Sequence, residues 1–146
     1  MRARLLPLLL LASTAHAGEF FETEGVAIGG YDAVAYMREQ RAVTGTQEHT
    51  FTYKGSVFRF KSAENRDAFA AAPAQFAPQY GGYCAFGVSR GYKAVTSPES
   101  FSVVDGKLYL NYNAEVKTMW SKDVPGYISK ANREWLTVAQ TTKVLK

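Results

Sequence analysis

The chain has 146 residues, a net charge of +4 and a single cysteine, Cys84. One thiol excludes an intramolecular disulfide, and it excludes zinc sites of four cysteines, or of two cysteines and two histidines, within one chain. No Walker loop, G-x-G-x-x-G, H-E-x-x-H or G-x-S-x-G occurs, which removes most nucleotide-binding and hydrolase chemistries.

Residues 1–17 read as a secretory signal peptide, with Arg2 and Arg4 as its basic start, Leu5 to Ala12 as its apolar run and Ala15-His16-Ala17 as its cleavage site. The apolar run is shorter than the roughly 20 residues that span a bilayer, and no other segment approaches that length, so no transmembrane anchor is expected. Cleavage removes two of the 17 basic residues and leaves one domain's worth of chain, in the periplasm or outside the cell. The remaining lysines and arginines are interspersed with acids, a pattern without a nucleic-acid footprint.

Residues 18–25 read as a flexible lead-in. Gly29-Gly30 opens the run Tyr31 to Met37, which starts as a turn and becomes a helical turn, and Glu39 to Gln47 reads as loop. Phe51, Tyr53, Val57, Phe58 and Phe60 flank Lys54-Gly55, the pattern of a hairpin. Ser62 is placed to cap a helix over Asn65 to Ala72, with Glu64 in its first turn, Phe69 toward the core and Pro73 as its stop. Phe76 and Tyr80 suit a short helical turn or an irregular crossover, and Tyr83 to Val88 a buried strand or a tightly packed turn.

The second hairpin is marked more strongly. Phe101 to Val104 and Leu108 to Tyr112 flank Asp105-Gly106, a preferred two-residue turn. Alternation sets Leu108, Leu110 and Tyr112 on one face and Tyr109 and Asn111 on the other. Asn113 can cap a helix running to about Ser121 that carries Val116, Met119 and Trp120. Pro125-Gly126 is expected to break it, a last helix to cover Tyr127 to Trp135, and a polar tail over 137–146 to fray. Hairpins followed by helices, without βαβ alternation, predict an α+β domain over 26–136, built on a small antiparallel sheet of two hairpins packed with short helices. No internal repeat or low-complexity segment is evident.

Four blocks carry a family resemblance: Gly30-Tyr31-Asp32-Ala33-Val34-Ala35-Tyr36, Phe58-Arg59-Phe60-Lys61-Ser62-Ala63-Glu64-Asn65, Pro78-Gln79-Tyr80-Gly81-Gly82-Tyr83-Cys84-Ala85 and Asp105-Gly106-Lys107-Leu108-Tyr109-Leu110-Asn111-Tyr112. Together they resemble the secreted bacterial YHS-domain proteins over about residues 26–136, with alanine at position 33 where the family usually has proline. Short YHS modules are similar to TRASH-type domains associated with heavy metals, and that resemblance implies thiols at positions 35, 61 and 65. This chain has Ala35, Lys61 and Asn65 there.

The soft-donor inventory of the processed chain is Cys84, His49, Met37 and Met119. If Cys84 and His49 converged, they could hold a copper or zinc ion, with Met37 or Asp32 completing the shell. Cys84 can equally be a buried small hydrophobe, His49 a solvated loop residue, and Asp32 a turn former bonded to the backbone. Tyr31, Tyr80, Tyr83 and Tyr109 are candidates for a tyrosine-lined site that takes a flat or cationic molecule; Lys61 and Arg66 read as solvated charges. The expectation is an exported protein that binds a metal ion or small molecule near Cys84, with Tyr31, Asp32, Tyr80 and Tyr83 as companions. Two alternatives stand beside it: a thiol redox enzyme using Cys84, and a module that docks another envelope protein.

Overall fold

Alternating aromatic side chains on the first hairpin organise half of the molecule. The computed structural model describes residues 19–146, and the expected signal peptide at 1–17 lies outside them. Strands β1 (Glu22–Thr23), β2 (Val26–Ala27), β3 (Thr46–Tyr53) and β4 (Ser56–Phe60) form a sheet of order β1-β2-β4-β3, in which β2 and β4 run parallel. Lys54 and Gly55 turn the β3–β4 hairpin with φ of 47° and 82°. Period-two alternation drives Phe58 and Phe60 inward, where both rings pack on Phe69 of helix α2 (Ala63–Ala71) at 4.8 and 5.0 Å. Ser62 caps α2 by accepting from the Asn65 amide. Pro73 ends it and then opens the short helix α3 (Pro73–Phe76), since proline suits a first helical position.

The 18–25 lead-in is docked where the structure describes it. Phe20 is buried against Phe58, with ring centroids 5.0 Å apart, and the Phe21 amide donates to Gly81 at 2.7 Å. Its polar neighbours disguise two aromatics large enough to hold the segment down.

In the other half, β6 (Phe101–Val104) and β7 (Lys107–Leu110) form the expected hairpin, with Asp105 and Gly106 at φ of 50° and 72°. The α+β class holds, but the two hairpins occupy separate sheets. Strand β7 is buried on both faces: Leu108 and Leu110 join the core of the first half, and Tyr109 joins a second core with Tyr80, Trp120 and Ala131. Tyr112, expected beside Leu108 and Leu110, falls beyond the strand and is 40% exposed.

Residues expected as strand or turn at 83–88 form helix α4 (Ala85–Ser89), capped by Cys84. Asn113 caps α5 (Ala114–Trp120) as its sequence suggests. Pro125-Gly126 does not break the chain. It lies in the first turn of α6 (Val124–Val138), where Asp123 accepts from the Gly126 amide and the proline forfeits no helical bond.

Nor does the tail fray. Strand β8 (Val144–Leu145) pairs in parallel with β5 (Lys93–Ala94), and buried Lys93 donates to the Ala139 and Thr141 carbonyls at 3.1 and 2.7 Å. The Lys93 ammonium also lies over the Tyr83 and Trp135 rings, so the end of α6 and the strand beyond it share one buried cation.

The structure reveals an internal duplication that does not stand out in the sequence. Ile28-Gly29-Gly30-Tyr31-Asp32-Ala33 and Tyr80-Gly81-Gly82-Tyr83-Cys84-Ala85 share one backbone path. Ile28 and Tyr80 have φ of 45° and 55°, the first glycines 65° and 62°, and the second glycines both 80°. Each path ends in a side-chain cap, Asp32 for helix α1 (Ala33–Glu39) and Cys84 for α4. A hairpin with a left-handed two-residue turn follows each helix, then a capped helix: Lys54-Gly55 with Ser62-Ala63-Glu64 in the first unit, Asp105-Gly106 with Asn113-Ala114-Glu115 in the second.

Burial raises the pKa of Tyr36, Tyr80, Tyr83 and Tyr109 above the ordinary tyrosine value. The unfolded chain loses these protons near pH ~10 while the fold retains them, so their contribution is complete below that pH and declines above it. Buried Lys93 acts oppositely: desolvation lowers its pKa, and stability from that group rises as pH climbs toward its ordinary value. With four tyrosines against one lysine, the melting temperature is expected to fall between about pH 9.5 and about pH 11. Thermal melts across that range, with tyrosinate absorbance as a second signal, measure it.

Candidate functional site

The two equivalent caps hold different chemistry. Asp32 is fully buried and its carboxylate is saturated. One oxygen, Oδ1, accepts from the Val34 and Ala35 amides at 2.8 and 2.9 Å; the other, Oδ2, accepts from the Lys61 amide and from Asn65 Nδ2, both at 2.9 Å. The three positions at which the family resemblance implies thiols, 35, 61 and 65, therefore converge, and they converge as donors to one carboxylate. With no lone pair left to offer and no thiol beside it, Asp32 does not fit a metal-ligand role.

Cys84 takes the place of Asp32 in the second unit and is 2% exposed. Its Sγ accepts from the Gly87 amide at 3.5 Å and lies 3.5 Å from Asn111 Oδ1, to which the thiol donates. The amides of Gly87, Tyr112 and Phe86 each act to lower the thiol pKa, but desolvation outweighs them and raises it. Gly87, Phe86 and Tyr112 match Ala35, Val34 and Lys61 position for position, but of these amides only that of Gly87 bonds the sulfur. In place of Asn65, the second unit has Val116. Asn111 comes in from the end of β7 instead: its Oδ1 also accepts from the Phe86 amide at 3.0 Å, while its Nδ2, fully buried, has no partner.

A cavity of about 350 Å³ borders Cys84. Phe86, Tyr92 and Tyr112 supply aromatic surface, Val116 and Met119 enter from α5, and Leu145 forms a wall from β8. Its lining is mainly apolar. The other sequence candidates lie elsewhere. Tyr31, Tyr80 and Tyr83 border three different cavities, and Tyr109 is buried, its ring tilted against Tyr80 with centroids 5.9 Å apart. His49 lies on β3 with its Nδ1 unpartnered among the described residues, away from the Cys84 cavity. Met37 packs against the first core. Of the soft donors, only Met119 accompanies Cys84. Among the described residues, no three His, Cys, Asp or Glu side chains are grouped to hold a metal.

The residues that sequence reasoning missed are Asn111, the Gly87 amide, and Leu145 near the C-terminus. The paired Gly-Gly-Tyr-x-Ala blocks were the available signal, because aligning them sets Cys84 on Asp32 and predicts which amides face the sulfur. No family model matches the chain, and no curated protein and no solved structure matches it. No helix among the described residues is long and apolar enough to cross a membrane.

Replacing Asp32 with alanine strands four donors, each buried unsatisfied group costing roughly 1–3 kcal/mol. Asp32→Ala is expected to lose about 3 kcal/mol or more in urea unfolding, and Asp32→Asn less, since one amide oxygen still accepts. Loss of under about 1 kcal/mol in the alanine variant would remove the carboxylate from its structural role.

Proposed function

We propose that the protein is an exported, non-catalytic binding module whose cavity at Cys84 takes a small, largely apolar molecule. The cavity supports this most directly. Its volume lies at the lower end of the range for small-molecule sites, about 300–1,000 Å³, and its aromatic and aliphatic lining offers burial with few polar constraints. The exposed edge of Tyr112 leaves an entrance at the rim. The basic start and cleavage pattern of residues 1–17 support export to the periplasm or beyond.

Geometry weighs against the redox and metal readings. A redox enzyme using Cys84 as its nucleophile needs a low-pKa thiolate, and burial pushes this thiol the other way. A copper or zinc centre at Cys84 would find one thioether, Met119, as its soft companion, with His49 away on β3 and Met37 and Asp32 engaged elsewhere. Anaerobic Cu(I) titration is accordingly expected to show binding weaker than about micromolar, and no difference between wild type and Cys84→Ser.

The fluorescent probe 1-N-phenylnaphthylamine tests the cavity directly. Wild-type protein without residues 1–17 is expected to bind it saturably, and Val116→Trp, which fills the space, about tenfold more weakly. An unsaturable signal, or equal affinity in a folded Val116→Trp protein, would overturn the proposal.

A further inference from the structure

We infer that the cleft lined by Glu19, Lys54, Gln79, Asn132 and Trp135 is a second binding site, and that it takes a neutral saccharide. The cleft has a volume of about 330 Å³ and shares no lining residue with the cavity at Cys84. It lies where the turn of the β3–β4 hairpin, the second Gly-Gly path and helix α6 come together.

The duplicated fold shows what is particular to this place. At the equivalent point of the first unit, Ile28 borders a smaller cavity of about 220 Å³, with Phe21, Pro98 and Leu110 among its walls. Tyr80 stands where Ile28 does, on the same left-handed backbone, and exchanges an aliphatic side chain for one that ends in a hydroxyl. That hydroxyl donates to Asn132 Oδ1 at 2.8 Å. Asn132 belongs to α6, a helix of 15 residues where the first unit has the four of α3. The bond orients the Asn132 amide and leaves Nδ2 as its donor.

Charge and polarity select the class of ligand. Lys54 Nζ and Glu19 Oε2 pair at 3.3 Å at the cleft, and among the described residues no other charged side chain lines it. The lining is therefore neutral as a whole. An ionic ligand would have to draw one member of the pair away from the other, whereas hydroxyl groups can donate to the carboxylate and accept from the ammonium together. Gln79 and Asn132 add side chains that each offer a donor and an acceptor. Phe20, Tyr53 and Trp135 contribute aromatic surface: the Trp135 ring meets Tyr80 edge-on at 6.0 Å, and Phe20 lies 5.9 Å from Tyr53. A saccharide matches both sets, with hydroxyls that donate and accept around a ring whose C–H faces are apolar. A wholly apolar molecule, suited to the Cys84 cavity, would here leave polar groups without partners. The two sites differ in residues and in chemistry, so this inference does not rest on the function proposed above.

Amide chemical-shift titration of the protein without residues 1–17 tests it. Triacetylchitotriose and maltotriose serve as neutral probes, and free lysine as a charged one. At least one sugar is expected to shift the amides of Lys54, Tyr80, Gly81 and Asn132 saturably, and to leave those of Cys84 and Met119 in place. Asn132→Ala, at an exposed position of α6, is expected to weaken that binding about tenfold, and Tyr80→Phe to weaken it less. Three results would overturn the inference: no shifts with either sugar at about 10 mM, which reveals even millimolar affinity; undiminished sugar binding by folded Asn132→Ala; or lysine binding more tightly than both sugars. The phenylnaphthylamine titration reads the other cavity, so either site can fail alone.

Discussion

The fold depends on a single buried carboxylate. Asp32 caps α1, receives the amide at the end of β4 and takes the side-chain amide of α2, so it joins three elements that sequence separates by some thirty residues. The aromatic core of Phe58, Phe60 and Phe69 supplies the larger attraction, but that attraction is non-directional. The four hydrogen bonds set the register at which hairpin and helices meet. They also leave no metal-ligand set there: the converging positions 35, 61 and 65 are donors, and a carboxylate answers them.

Local chemistry was legible in the sequence. Both two-residue turns, the caps at Ser62 and Asn113, and the inward set of Phe58, Phe60, Leu108 and Leu110 follow from side-chain period and turn preference, which act over a few residues. The second face of β7 was not, because whether Tyr109 meets water depends on tertiary packing, against Tyr80 from earlier in the chain and against Trp120 of α5. Neither was the docking of the two ends, where Phe20 and Lys93 each anchor a segment whose average composition is polar.

The duplication escaped notice for a related reason. Identity between the units survives at the turn glycines and in the residues beside the caps, and is lost at the caps themselves, where Asp32 answers to Cys84, and in the interior, where Phe60 answers to Asn111 and Asn65 to Val116. Those differences are the ones with chemical meaning. They turn a saturated carboxylate cap into a thiol beside a cavity, with an asparagine brought in from the strand instead of the helix. Cys84 could be singled out from composition alone, but its surroundings could be read only by laying one half of the molecule on the other.

Strand β7 carries a consequence for how the molecule comes apart. Its leucines complete one core and Tyr109 the other, so neither unit can shed the strand without baring apolar surface in both. Tandem units in extended arrays melt piecemeal from their ends. Here the shared strand couples the halves into one cooperative block, and slow amide exchange should extend across both, with its slowest members on either side of Leu108.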